Sequence, residues 1–270
     1  MSDTKTILIT GAGSGFGEGA AIGLAQSGYK VIAGVEISSQ VTSLRNTARE
    51  MGLENNLLVQ KLNILDKYDV KNALKWDIDI LFSNAGIGEG GPVFEIPLDI
   101  VRENFETNVF APLELAQQFI AKWISANKKG KIIFTSSMAG IFTPPGYGTY
   151  ASTKHALEAI AESLSEELKP YSIQIQTINP GAYLTGFNEM AAENAFRWLD
   201  DGKNFTQRAD LKAKYAAMLG TPEGRLDPKE MVDAIIKIVP SHTGKFRNVV
   251  PQFVEDMLKD FQKKAWENII

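Results

Sequence analysis

Not one cysteine occurs among the 270 residues. Disulfide frameworks, thiolate nucleophiles and cysteine-ligated metal sites are therefore excluded together. Histidine is almost as scarce: His155 and His242 are the only two. The soft ligands of a zinc-dependent dehydrogenase are missing, and no metal site is expected. No uninterrupted apolar run approaches the roughly 18 residues that mark a membrane span. The start, Met1-Ser2-Asp3-Thr4-Lys5, lacks the basic residues, long apolar stretch and cleavage site of a secretory signal. Charge of one sign is not in excess either. A net −4 offers no electrostatic reason to expect nucleic acid or an anionic membrane as partner. What is present, 44% hydrophobic and 22% charged residues, is the composition of an ordinary globular enzyme, expected in the cytoplasm.

Short β-rich runs alternate with longer helical patterns. Strands are expected at 6–10, 30–35, 57–62, 78–83, 131–135, 173–178 and 246–250, and helices at 17–27, 40–51, 67–75, 98–126 and 150–169. Several strand runs are apolar throughout, as strands covered on both faces should be. This alternation predicts an α/β fold of the Rossmann type: a doubly wound parallel sheet of about seven strands with helices on both faces. No linker or repeat divides the chain, so residues 1–270 are expected to form one domain. Pro112 should kink the long helix locally. Residues 187–220 are less regular and rich in large apolar groups, which suggests an insertion covering a ligand; helices at 227–239 and 252–266 follow.

The first strand runs into Thr10-Gly11-Ala12-Gly13-Ser14-Gly15-Phe16-Gly17, which opens the first helix. Glycines there permit a tight turn and let backbone approach a pyrophosphate at the positive helix N-terminus. No Gly-Lys-Ser/Thr follows, so this is not a Walker loop, and ATP or GTP hydrolysis is disfavoured. The second strand ends at Glu36, about 20 residues past the glycines, where a carboxylate can accept from a ribose 2′-hydroxyl and repel a 2′-phosphate. NAD is accordingly favoured over NADP, which stays the alternative.

Tyr150 and Lys154 stand four residues apart, which on a helix places them on one face. An ammonium beside a phenol favours the phenolate, so a lowered Tyr150 pKa is expected, suited to acid/base work near neutrality. His155 points about 100° away from Lys154 and is expected to be structural.

In this order and spacing the motifs resemble those of the classical short-chain dehydrogenases/reductases, in register over roughly the first 190 residues. They are the glycine loop, Asn84-Ala85-Gly86, Asn108, Ser136-Ser137, Tyr150 with Lys154, and Pro180-Gly181 with Thr185. The resemblance implies a nicotinamide-dependent oxidoreductase acting on a small alcohol or carbonyl compound. Tyr150 would be the general acid/base. Lys154 would lower its pKa and hold the nicotinamide ribose. Ser137 would hydrogen-bond the substrate oxygen, with Ser136 structural, and Asn108 would hold a water linking Lys154 to solvent. Asn84, Ala85 and Gly86 would line the cofactor pocket, Thr185 would meet the carboxamide, and Asn63 with Ile64 would lie near the adenine. Asn63 stands where the family usually has Asp, and Glu36 lies one position beyond the usual acidic place, which Val35 occupies. Helices 98–126 and 150–169 correspond to the family's dimer-forming pair, so a homodimer or homotetramer is implied. Tyr147, Tyr183, Met138 and Phe142 are candidates for the substrate pocket. The competing readings are a non-catalytic dinucleotide sensor and a sugar-nucleotide epimerase or dehydratase.

Overall fold

Strand polarity and side-chain alternation together build the molecule. In the computed structural model, which describes residues 4–267, the strands are β1 (Thr6–Thr10), β2 (Lys30–Val35), β3 (Leu57–Lys61), β4 (Ile80–Ser83), β5 (Lys131–Thr135), β6 (Gln174–Pro180) and β7 (Arg247–Val250). They form one sheet in the order β3-β2-β1-β4-β5-β6-β7, parallel at every pairing. Successive strand residues point to opposite faces. Ile7 and Ile9 of β1 therefore enter one core with Val31, Ala33, Ile80 and Phe82. Leu8 enters the other, with Ile32, Leu81 and Phe134.

The first core is closed by α1 (Gly15–Gln26), α2 (Ser38–Glu50) and α9 (Pro228–Ile238); the second by α3 (Lys67–Ala73), α5 (Ala111–Ser125) and α6 (Gly148–Glu167). Local sequence starts several of these helices. Asp66 caps α3 by accepting from the N–H groups of Tyr68 and Asp69, and Asp227 caps α9, whose first residue is Pro228. The helix α10 (Gln252–Ala265) follows β7. The expected parallel Rossmann sheet is thus present.

Three expectations need correcting. The pattern at 98–126 is not one helix: α4 (Leu98–Phe105) passes into a π-helical turn, Glu106–Phe110, and then into α5. Pro112 has no N–H to donate to the carbonyl of Asn108, and the turn widens just ahead of it, with Ala111 N–H bonding back to Glu106. The first helix starts at Gly15 rather than 17, because the loop's last turn is already helical. The 187–220 segment is largely helical, with α7 (Phe187–Asn194) and α8 (Arg208–Leu219). Its apolar groups build a small core of their own, joining Ala191, Ala195, Leu199, Leu211 and Tyr215 to Tyr147.

Candidate active site

The strand order reverses direction between β1 and β4, and at that point the loops leaving their carboxyl ends diverge. A cavity of about 490 Å³ lies there. One end is walled by Gly11, Gly13, Ser14, Gly15 and Phe16, with Glu36, Asn63 and Ile64 beside them. The middle is walled by Asn84, Ala85 and Gly86, and the other end by Ser137, Tyr150, Lys154, Pro180, Gly181 and Thr185. Of the sequence-predicted site residues, Gly17 and Asn108 stand behind this wall rather than in it.

The glycine loop is shaped by close approach. Gly11 (φ +65°) packs so tightly that an added Cβ would lie 2.7 Å from Ala85 Cα, and a Cβ on Gly17 would lie 2.2 Å from the Gly11 carbonyl oxygen. Ser14 precedes α1 in extended backbone with no side-chain cap, so the first N–H groups of the helix are left for another acceptor. A cradle this narrow, with uncapped donors at a helix N-terminus, fits a pyrophosphate. Thr10 joins the loop to β4: its Oγ1 accepts from the N–H groups of both Asn84 and Ala85, at 3.0 Å each. Thr10→Val keeps the shape and strands two donors. We expect a loss of about 1–3 kcal/mol, seen as a lower Tm, together with weaker dinucleotide binding.

Glu36 is exposed at the end of β2. The ladder sets Lys61 beside Val35, but Lys61 is held by Asp69 at 2.6 Å. Gln40, which pattern reading did not single out, lays its amide over Gly13 and accepts from the Ile37 N–H at 3.3 Å.

At the other end, α6 carries Tyr150 and Lys154 on its buried face. The ammonium lies 5.6 Å from the centre of the Tyr150 ring and donates to the Thr135 carbonyl at 2.8 Å. Ser137 leaves β5 in extended backbone, its Oγ accepting from the Ala139 N–H at 3.0 Å. The expected lowering of the Tyr150 pKa is not what this arrangement gives. Burial pushes the phenol up to about 12, with a hydrogen bond to Ser137 opposing it. The reason is geometric: Nζ sits over the ring and bonds to backbone, not to the phenolic oxygen. Burial likewise pushes Lys154 down to about 8, and the negative charge of Glu158 opposes that fall.

Asn108 is fully engaged. Its Oδ1 accepts from the Ile87 N–H at 2.8 Å, and its Nδ2 donates to the Ile87 carbonyl, Asn104 and Thr153. The side chain clamps the loop after β4 instead of standing free to hold a water. The main-chain carbonyl is the group left without an α-helical donor, since Pro112 follows four residues later. Ser136 is buried yet lines the cavity beside Ser137, and its Oγ has no hydrogen-bond partner among the described residues.

Of the pocket candidates, Tyr183 lines the cavity, its ring 5.5 Å from Phe16. Tyr147 does not: it belongs to the small core under α7 and α8, its hydroxyl donating to the Asn188 carbonyl. Met138 and Phe142 are absent from the wall, and Phe142 packs on Phe261 of α10 at 4.8 Å. Phe187, 5.4 Å from the Tyr150 ring, and Met190 supply the apolar wall from α7. His155 is exposed, its Nδ1 against the Ala151 carbonyl at 2.9 Å.

A seven-stranded parallel sheet with a glycine cradle at one end of its crevice and a Ser/Tyr/Lys cluster at the other defines an oxidoreductase of the short-chain type. The family model for short chain dehydrogenase matches residues 5–195, and the chain belongs to that family. It is 30% identical to the uncharacterized oxidoreductase YusZ of Bacillus subtilis, over 98% of this chain and 97% of that protein. Among solved structures it resembles a short-chain dehydrogenase/reductase from Burkholderia phymatum in complex with NAD (TM-score 0.80, 23% identity, 97% and 94% of the two chains). It also resembles one from Burkholderia cenocepacia in complex with NADP (TM-score 0.74, 19% identity, 98% and 95%). Among the described residues no helix is long and apolar enough to cross a membrane.

Proposed function

We infer that the protein is a nicotinamide-dependent oxidoreductase that interconverts a secondary alcohol and a ketone, or a primary alcohol and an aldehyde, with Tyr150 as the general acid/base. The observation that carries this reading is one cavity joining two chemistries: uncapped backbone donors at the glycine loop, and a buried Tyr150/Lys154 pair beside Ser137. The bound dinucleotide would supply or accept the hydride. The protein's own part is to orient the reacting carbon and move one proton. Ser137 hydrogen-bonds the substrate oxygen and Tyr150 gives that oxygen its proton, or takes it in the reverse direction. Lys154 anchors the ribose and, as a cation, stabilises negative charge developing next to the phenol. The main-chain carbonyl of Asn108, to which Pro112 offers no donor, would accept from a water that links Lys154 to solvent. Phe187 and Met190 favour a substrate that is apolar next to its oxygen. By family analogy the assembly is at least a homodimer through α4–α5 and α6, which sedimentation of the purified protein will read directly.

NAD is the expected cofactor, because Glu36 closes the ribose end with a carboxylate while Lys61 is taken up by Asp69. Initial rates with the two dinucleotides should favour NAD. Glu36→Arg should shift the ratio of kcat/KM values towards NADP by on the order of tenfold to a hundredfold, as for one new charge pair and one repulsion removed. A wild-type preference for NADP overturns the assignment. The broader reading is tested with a panel of ketones, aldehydes and alcohols, following absorbance of the reduced nicotinamide. Dinucleotide binding with no turnover of any of them would point to a sensor on the same fold instead.

A further inference from the structure

One turn beyond Lys154 on α6, and two beyond Tyr150, stands Glu158, 4% exposed. Its partners come from other places in the fold. Oε1 accepts from Asn179 Nδ2 of β6 at 2.6 Å, and Oε2 accepts from Arg247 Nε of β7 at 2.9 Å. The same Asn179 Nδ2 donates to the Ser137 carbonyl at 3.2 Å, while Thr177 Oγ1 fixes the amide by donating to Asn179 Oδ1 at 2.9 Å. The turn after Ser137 packs on the stem of this side chain as well: a Cβ on Gly140 would lie 3.1 Å from Glu158 Cγ. Asn179 is followed by Pro180 and Gly181 of the cavity wall. One carboxylate thus ties together the carboxyl ends of β5 and β6 and the buried face of α6, which are the three supports of the candidate chemistry.

A buried carboxylate costs several kcal/mol unless it is paired. Arg247 pairs it from the sheet edge, and its Nη2 also reaches Glu162 at 4.0 Å. On its other side, Glu158 stands one helical turn from Lys154 on the same buried face, and its negative charge favours the ammonium. The remaining groups around Lys154 are uncharged: Tyr150 on α6, the Thr135 carbonyl on β5, Gly86 after β4, and Asn108 of the π turn, which flanks Gly86.

We propose that Glu158, braced by Arg247, is a positioning residue for this site: through Asn179 it holds Ser137 in place, and one turn from Lys154 on the same buried face of α6 it supplies a negative charge. The proposal rests on the proton-transfer reading of Tyr150 and Lys154. It predicts two separable effects. Glu158→Gln keeps the volume and removes the charge. It should lower kcat on the order of tenfold, as a slightly misplaced site does, and move the upper limb of the kcat–pH profile to lower pH by roughly one unit. Asn179→Ala cuts the tie to Ser137 and leaves the charge, so kcat should fall with the limb unmoved. Arg247→Met removes the brace, so kcat should fall as in Glu158→Gln; it also serves if Glu158→Gln does not fold. Wild-type kcat and pH limb in Glu158→Gln, whether or not its Tm drops, would overturn the proposal, and so would wild-type kcat in Arg247→Met. Tyr150→Phe, assayed alongside, separates the two levels. If that variant is inactive while Glu158→Gln behaves as wild type, only the Glu158 assignment fails; if it is active, the underlying reading fails first.

Discussion

Tyr150→Phe is expected to lower kcat by about 10²- to 10⁴-fold, the range contributed by a positioned acid or base. Reduced dinucleotide should still bind, as measured by its fluorescence. The substitution removes one oxygen and leaves the ring where it packs, 5.4 Å from Phe187 and 5.6 Å from the Lys154 ammonium. Neither the fold nor the glycine cradle depends on the hydroxyl. A Tyr150→Phe protein that turns over at the wild-type rate would remove Tyr150 from the chemistry. The direction of the two pKa shifts adds a signature in the wild type. With the phenol at about 12, Tyr150 carries its proton across the neutral range, so it is available as an acid for carbonyl reduction. The charge of Lys154, at about 8, is present below that pH and lost above it. Reduction should therefore weaken as pH rises through about 8, and the alcohol-oxidising direction, which needs the phenolate, should be favoured by alkaline conditions.

Gly17→Ala carries the second large effect, and it acts on binding and stability together. The new Cβ would meet the Gly11 carbonyl oxygen at 2.2 Å and Asn84 Nδ2 at 2.7 Å. The first of these is backbone in a loop already pressed against Ala85, so it has little room to move. Overpacking of this kind costs about 1–3 kcal/mol, or about 2–4 °C of Tm per kcal/mol in a chain of this size. Any shift of the loop also misdirects the uncapped N–H groups of α1. Dinucleotide affinity should fall at least about tenfold, the equivalent of roughly 1.4 kcal/mol. Calorimetric titration and thermal denaturation read the two losses separately. Wild-type values in both would show that the loop yields, and that the close approach at Gly17 does not shape the cradle.

Much of this architecture was legible because it follows from short-range rules. Apolar runs bounded by turn residues located β1, β2 and β5 to the residue, and the context of the glycine loop located the start of α1 to within two positions. The cavity brings together residues as far apart in the chain as Gly11 and Thr185, as the order of motifs implied. What escaped is physically distinct. A π turn has no period of its own, so 98–126 looked like one helix, and Pro112 signalled only that something would bend. The 187–220 segment looked irregular because its helices face a local core rather than the sheet. Glu158 looked like any carboxylate on an amphipathic helix; the available signal was its spacing, one turn from Lys154 on the same face. Its partners Asn179 and Arg247 lie on other strands, and only the fold brings them to it. The Tyr150 pKa went the opposite way because spacing reports that two groups are neighbours, not which atom faces which, nor how much water both have lost.

The π turn at Glu106–Phe110 has a bearing on how this chain tolerates change in length. A π turn accommodates one residue more than α-helical winding would. Deleting a single residue there would demand α-helical winding through Pro112, whose ring meets the carbonyl of the residue four positions back, so α4 and α5 could not fuse into one regular helix. Asn104 and Thr107 would leave their places, and the clamp on Ile87 would be broken. A shorter loop elsewhere on the surface would pass unnoticed. Here the turn works as a phase corrector, and the number of residues in it matters as much as their identity.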